Sequence, residues 1–451
     1  MKLKQQATGE DKSAHPAWLG RLYLFGRAFL HRDVIVVLLV AWTARLIFML
    51  TMPPEARSFD THSWESVAND LKAGGNPYQT TFFLNWPPFW LQLIFVISKI
   101  STALSIPFFR VLQVFLILVE SVVIILLTRL IREIAPEARV RTLVIIGLAL
   151  NPAAILLICQ HCNFDVIVAL WLMLFMLNLL RYNRTNDYAD WLCACLFLGL
   201  GILTKTVPLF LIPLLAGGFR EATTRLKFLG LVLLVGPVTL GVSIIYVLAP
   251  ADVTTKVFEY RSQGETFGFS GLFHLAGVDQ MTVFYNLFFY LLLFTVMILS
   301  SILFWRRKSI RDQETVLLAA LLLAGIPVLG PGYGPQYLYW FMPFLVATCA
   351  FFKGKWRRVL IGFALIAVCT YLVEYALVGA DGMFLLKIMA HRANDIETLK
   401  QAYSLVPVIT KCESLTGLTL IRLPLFAAYL TLLVVGTSVL LRGIKDQSSK
   451  N

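Results

Sequence analysis

Of the 451 residues, 58% are apolar and only 14% are charged, where a soluble domain carries nearer a quarter charged. That balance excludes a water-soluble globular protein and points to a polytopic membrane chain. A net charge of +13 would suggest nucleic acid in a soluble protein. Here the Lys and Arg gather in short segments between apolar runs, as membrane topology demands, so no nucleic-acid partner is expected.

The apolar runs are continuous rather than alternating. In lipid only helices and closed barrels satisfy every backbone group, so the expected fold class is all-α, a polytopic membrane helical bundle. Residues 1–32 are basic, lack the pattern of a cleavable signal and are expected in the cytoplasm. The first span runs from about Val34 to Met52. A polar stretch follows, carrying Asp60, the turn Gly74-Gly75-Asn76-Pro77-Tyr78, and Asn85-Trp86-Pro87-Pro88. Pro87–Ile100 is apolar, but at about 14 residues it is too short to cross and is expected to lie in the interface.

The next span is then about Pro107–Leu130. Further spans fall near 142–159, 165–180, 191–204, 206–217, 228–249, 283–304, 314–330, 336–352, 358–378 and 418–441. This register places Arg129–Arg141, Arg306–Arg311 and Lys353–Arg358 in the cytoplasm; counting Pro87–Ile100 as a span would turn them all outward. The expectation is about 12 spans with both ends cytoplasmic. A single transmembrane domain covers 33–442, with outer segments 53–106, 250–282 and 379–417 and a cytoplasmic tail at 443–451. No GxGxxG or P-loop precedes a helix and no long inner loop could house a nucleotide domain, so no cofactor is expected. Seven cysteines form no framework. Cys159 and Cys162 are spaced CxxC without a second pair, so no metal is expected either.

Three polar clusters sit at outer span ends, where such groups are costly unless they serve function. Asp60 lies just beyond the first span, beside Pro-Pro and an aromatic-rich helix; the plainer reading is a solvated loop acid. Gln160-His161-Cys162-Asn163-Phe164-Asp165 lies between two spans, and the plainer reading is a short polar loop. Lys205, in Leu203-Thr204-Lys205, is either a snorkelling anchor at the membrane boundary or a ligand for phosphate. Two outer stretches fit a binding cavity. One runs from Tyr260-Arg261 to His274, and the other holds Gln336, Tyr337 and neighbouring aromatics.

In order and topology these elements resemble the GT-C superfamily of integral-membrane glycosyltransferases. Within it they are most similar to the polyprenyl-phosphate-mannose-dependent branch, the GT87-type and GPI-mannosyltransferase-II-like proteins. The resemblance rests on Asp60, Gly75-Asn76-Pro77-Tyr78, Trp86-Pro87-Pro88, Asn151-Pro152 with Gln160 and Asp165, Leu203-Thr204-Lys205, and Pro335-Gln336-Tyr337. It implies a GT-C-type bundle with interfacial helices in the first outer loop. It also implies transfer of a sugar, mannose by this branch, from a polyprenyl-phosphate donor to a lipid or glycan acceptor, by single displacement with inversion. The implied setting is a bacterial plasma membrane with the active site facing outside, among membrane lipids. By position the catalytic base is Asp60, with Asp165 second. Lys205 and Arg261 are the expected phosphate ligands, and His161, Asn163, His274, Gln336 and Tyr337 the other substrate-binding residues. A phosphate monoester with a second pKa of about 6 leaves without a general acid, so one base suffices. The alternatives are a flippase or transporter of lipid-linked sugars, which needs ionisable groups deep in the spans, and a non-catalytic assembly subunit.

Overall fold

The computed structural model describes residues 32–53, 57–80, 86–248, 269–306, 311–330, 334–378 and 414–448. Among these residues every regular element is helical. In chain order, α1 is Arg32–Thr51, α2 Phe59–Lys72, α3 Pro77–Thr80, α4 Pro88–Leu104 and α5 Phe108–Ile134. Then α6, Val140–Val144, continues into a π-helical turn at Ile145–Ala149, and α7 is Pro152–Cys159. Next come α8 Asp165–Thr185, α9 Tyr188–Thr204, a 3-10 stretch Val207–Leu215 and α10 Ala216–Glu221. The second half holds α11 Thr224–Leu248, α12 Gly271–Leu275, α13 Met281–Arg306 and α14 Asp312–Leu329. After a 3-10 turn at Pro335–Tyr337 come α15 Leu338–Phe351 and α16 Gly354–Tyr371, the latter extended by a π-helical stretch Leu372–Val378. The last is α17, Leu415–Ser448.

The expected all-α membrane bundle is what the chain forms. Among the described residues, 8 helices are long and apolar enough to cross a membrane, or 9 counting the bent pair α6–α7. The remaining three of the twelve expected crossings fall on shorter pieces that do not reach that length: the apolar helices α9 and α15, and the 3-10 stretch with α10. Large apolar side chains on α1 and α13, among them Leu39, Ile47, Phe284, Leu291 and Phe294, stand exposed, as lipid contact requires.

Polar contacts define two end faces. Arg132 at the end of α5 bonds Asp33 at the start of α1 (2.9 Å). Arg184 at the end of α8 bridges Glu133 of α5 (3.1 Å) and Asp312 at the start of α14 (2.6 Å). At the other face Arg110, near the start of α5, donates to the Met49 carbonyl near the end of α1 (2.6 Å). Gln113 of α5 donates to the last carbonyl of α7, that of Cys159. The helix α4 begins on this second face, where Trp90 stacks on Phe164 (4.8 Å). It ends there too, because only Ser105, Ile106 and Pro107 separate it from α5. It therefore lies along the face, as expected, though at 17 residues it is as long as α9; the placement of its two ends, not its length, decides this, and the parity of the later crossings follows.

One interaction ties the bundle together below this face. The apolar stripe of α5 runs Leu112, Leu116, Val123, Leu127, and Glu120 occupies its middle, fully buried. The narrow buried stripe of α1, Val34, Val37 and Ala41, ends in Arg45. The two side chains pair bidentately, Nε to Oε2 at 2.6 Å and Nη2 to Oε1 at 2.6 Å. Arg45 also donates to the carbonyls of Leu148 (3.1 Å) and Ala149, and Tyr339 of α15 donates to Glu120 (2.9 Å). The carbonyls need this help. Pro152 has no N–H, the chain bends by 51° between α6 and α7, and the regular ladder is interrupted there. The sequence places Arg45 and Arg422 within spans but does not reveal their partners, and Glu374–Arg422 is a second buried pair.

Removing one partner of a buried pair strands the other's charge, at about 3–5 kcal/mol. Glu120→Ala and Arg45→Met should each lower the thermal midpoint of the purified protein by that measure, and the double variant Arg45→Met/Glu120→Leu should recover part of the loss. In topology, a cysteine at Ser105 should react with an impermeant thiol reagent from the face that carries Asp60. A cysteine at Glu137 should react only from the other. Labelling of both from one side contradicts the arrangement.

Candidate active site

The site is built where α2 meets the turn between α7 and α8. Ser58 caps α2: its Oγ accepts from the Thr61 N–H (3.2 Å) and donates to the His161 carbonyl (3.0 Å). Thr61 Oγ1 reaches the carbonyls of Gln160 and His161, at 3.4 Å each. The start of α2 is thus clipped to the turn, and Asp60, in its first helical turn, is carried beside His161. The turn is tight. Cys162 adopts a left-handed conformation, φ 51°, which disfavours any residue with a Cβ by about 1–2 kcal/mol. Bonds from the Asn163 N–H to Leu157 O (3.1 Å) and from the Asp165 N–H to Asn163 Oδ1 (2.9 Å) offset that strain.

Asp60 Oδ2 meets His161 Nε2 at 2.5 Å and accepts from Asn163 Nδ2 at 3.3 Å. His161 Nδ1, the other ring nitrogen, is buried and has no hydrogen-bond partner among the described residues. The Asp60 side chain is 29% exposed while that of His161 is 3% exposed, so one carboxylate oxygen is fixed and the residue still faces open space. The imidazole stacks on Tyr375 at 4.2 Å, and Tyr375 on Tyr371 at 5.3 Å. Tyr375 lies in the π-helical stretch after α16. That stretch is pinned by Glu374, whose carboxylate accepts from Nε and Nη2 of Arg422 on α17 (2.5 and 3.0 Å).

A second pair stands next to the first. Lys205, in the turn after α9, bonds Asp165 Oδ1 at 2.6 Å, and both are buried. Four rings enclose the ammonium: Trp86 at 4.4 Å, Tyr337 at 4.7 Å, Trp340 at 4.8 Å and Phe164 at 5.2 Å. Phe164 is also the centre of a cluster with Trp64, Trp86 and Trp90. Tyr78 donates to the Trp86 carbonyl (2.8 Å), which fixes the end of the first outer segment to its Gly-Gly-Asn-Pro-Tyr turn. Burial pushes the Lys205 ammonium below its ordinary value, against the pull of Asp165 and more weakly of Asp60. Burial likewise raises Tyr78, and raises the Cys162 thiol to about 12, so this thiol stays protonated.

The structure brings together Asp60, His161 and Asn163 as one group, and Asp165, Lys205 and Tyr337 as another. His161 and Asp165, four residues apart, go to different partners. Among the described residues no group of three or more His, Cys, Asp or Glu could hold a metal. Lys205 is neither an exposed anchor nor an unpaired cation: Asp165 already balances it, and an anion reaching it has to share it. Gln336 stands half-buried beside Tyr337. His274, half-buried on α12, bonds Asp279 (2.9 Å) and, among the described residues, joins neither group. Arg261 lies outside the described residues. Sequence reasoning missed Tyr375 with its Glu374–Arg422 clamp, and the pairing of Asp60 with His161, residues too far apart in sequence for spacing to connect.

No protein-family model and no curated protein matches the chain. Among solved structures, it is similar to the crystal structure of ArnT from Cupriavidus metallidurans bound to undecaprenyl phosphate. Identity is 13% over 89% of this chain and 76% of that one, with a TM-score of 0.49.

Burial changes what truncation of Lys205 does. A snorkelling lysine could be cut back at little loss, but Lys205→Ala leaves Asp165 charged and buried. A destabilisation of about 3–5 kcal/mol is expected, read as a fall in thermal midpoint. Lys205→Ala/Asp165→Asn should regain much of it. A single variant as stable as the parent would show that the pair is not formed.

Proposed function

We propose that the chain is a GT-C glycosyltransferase that moves a sugar, mannose by its sequence resemblance, from a polyprenyl-phosphate donor to a hydroxyl of a lipid or glycan acceptor. The observation that carries this reading is Asp60. It is a carboxylate oriented through one oxygen by His161 and Asn163, partly open, at the end face of a membrane bundle. A base so placed can meet a substrate whose phosphate lies at headgroup depth and whose chain lies in lipid.

The chemistry needs little else. Asp60 takes the proton of the acceptor hydroxyl, and the oxygen attacks the anomeric carbon from the side opposite the phosphate. The bond to the phosphate oxygen breaks with its electron pair, leaving a polyprenyl phosphate that needs no protonation. One displacement inverts the anomeric carbon. His161, stacked on Tyr375, keeps the carboxylate aimed, and Asp165 with Lys205 is a buried polar wall beside it. The basic residues Arg132, Arg184, Arg220 and Arg311 sit at the opposite face or beside its contacts, which supports an outward-facing site in a bacterial plasma membrane.

Asp60→Asn keeps size and hydrogen bonding but cannot accept the proton. Turnover with a polyprenyl-phosphate sugar should fall by about 10²–10⁴, with donor binding and expression retained. A purified Asp60→Asn protein with parental turnover removes Asp60 from the mechanism.

A further inference from the structure

Lys205 is buried and balanced, so the phosphate of the donor needs another cation. Two arginines come to the same ring at the end face that carries Asp60, and neither was singled out by the sequence. Arg57 immediately precedes Ser58, the cap of α2, and Arg110 lies in the first turn of α5. Both guanidiniums rest on one ring, that of Phe109, at 4.6 Å and 4.7 Å. Phe109 is 7% exposed, so this shared platform is packed into the bundle while both cations stay within reach of solvent. The two charges repel each other, and both act on the Cys162 thiol, the residue after His161. Arg110 is held by the Met49 carbonyl (2.6 Å) and Gln113 Oε1 (3.1 Å), both neutral acceptors. Arg57 meets Glu65 at 3.2 Å, and both of those side chains are partly exposed.

We infer that Arg57 and Arg110 form the binding site for a phosphate monoester or diester carried on a lipid, the phosphate of the donor and of the spent carrier. Two like charges on one ring leave a place where an anion relieves their repulsion, and guanidinium forks match phosphate oxygens bidentately. The phosphorus and the anomeric carbon of a sugar phosphate are joined through one oxygen, so the cation site must adjoin the base. Arg57 and Asp60 flank the Ser58 cap, and Arg110 enters from the first turn of the next long helix. In this arrangement Glu65 competes with the phosphate for Arg57. The identity of the lipid rests on the transferase reading; the anion site does not.

The test is binding to the purified full chain in detergent, with three probes: a polyprenyl monophosphate, the matching polyprenol and inorganic phosphate. Arg57→Gln and Arg110→Gln should each weaken binding of the polyprenyl monophosphate by about tenfold or more, and added salt should weaken binding to the parent. Glu65→Gln should tighten it. Arg139→Gln, on the opposite face, should leave it unchanged. The polyprenol should bind parent and arginine variants alike. Competition by inorganic phosphate alone would identify a free anion rather than a lipid as the ligand and overturn the lipid assignment. Arg110 also holds α1, so Arg110→Lys, which keeps the charge, is the companion variant: it should fold and retain most of the binding. Parental affinity in both glutamine variants would overturn the site. If the arginines bind the lipid phosphate but no sugar is ever transferred, the anion site stands and the transferase reading falls. If sugar is transferred and the arginine variants bind and turn over as the parent does, the reverse holds.

Discussion

The buried pair of Arg45 and Glu120 is the constraint on which the rest of the structure depends. An isolated charge inside a membrane bundle is untenable, and here each charge is satisfied by the other and chiefly by groups from other helices. Glu120 takes Arg45 and Tyr339; Arg45 takes Glu120 and the carbonyls released where α6 breaks into α7. One contact therefore fixes α1, α5, the π-helical end of α6 and α15 relative to one another. The break itself matters for the site, because α7 is the short helix that delivers Gln160, His161 and Asn163 to the end face. A continuous helix would end elsewhere.

The two acid–base pairs at the end face differ in what they leave open. Asp165 and Lys205 are shut in by aromatic rings, and their charges cancel in a place solvent does not reach. Such a pair is a poor base and a poor anion ligand, but a firm support for the wall it belongs to. Asp60 and His161 are asymmetric: the imidazole is buried against Tyr375 and the carboxylate is partly open. The proposed role of Asp60 as the base rests on that asymmetry. The buried pairs at Glu120 and Glu374 are closed in the same way as Asp165, so charges in the spans here brace the bundle.

Much of the fold was legible because the bilayer leaves few choices. Continuous apolar runs mark helices, and the distribution of Lys and Arg decided that Pro87–Ile100 lies along the face, as α4 does. Asp60, His161, Asn163, Asp165 and Lys205 were all visible as polar groups at span ends. Their partners were not. His161 and Asp165 are neighbours on the chain, yet the left-handed Cys162 turns them toward different acids and bases. Hydropathy places Lys205 at a boundary but cannot say whether it faces out to lipid or in to aromatic rings. Glu120 interrupts a buried stripe in the middle of a span, a signal that periodicity contains and that a count of charges at span ends overlooks. Arg57 and Arg110 read as an ordinary loop charge and an ordinary span-start charge, since nothing in the chain order says that both rest on Phe109.

The central claim is that this face performs sugar transfer from a lipid phosphate. Mass spectrometry of glycolipids and glycans extracted from cells with and without the protein tests it most directly. The account predicts that loss of the protein leaves one class of glycan or glycolipid a single sugar residue short while its unglycosylated acceptor accumulates. Identical profiles in the two extracts would contradict it.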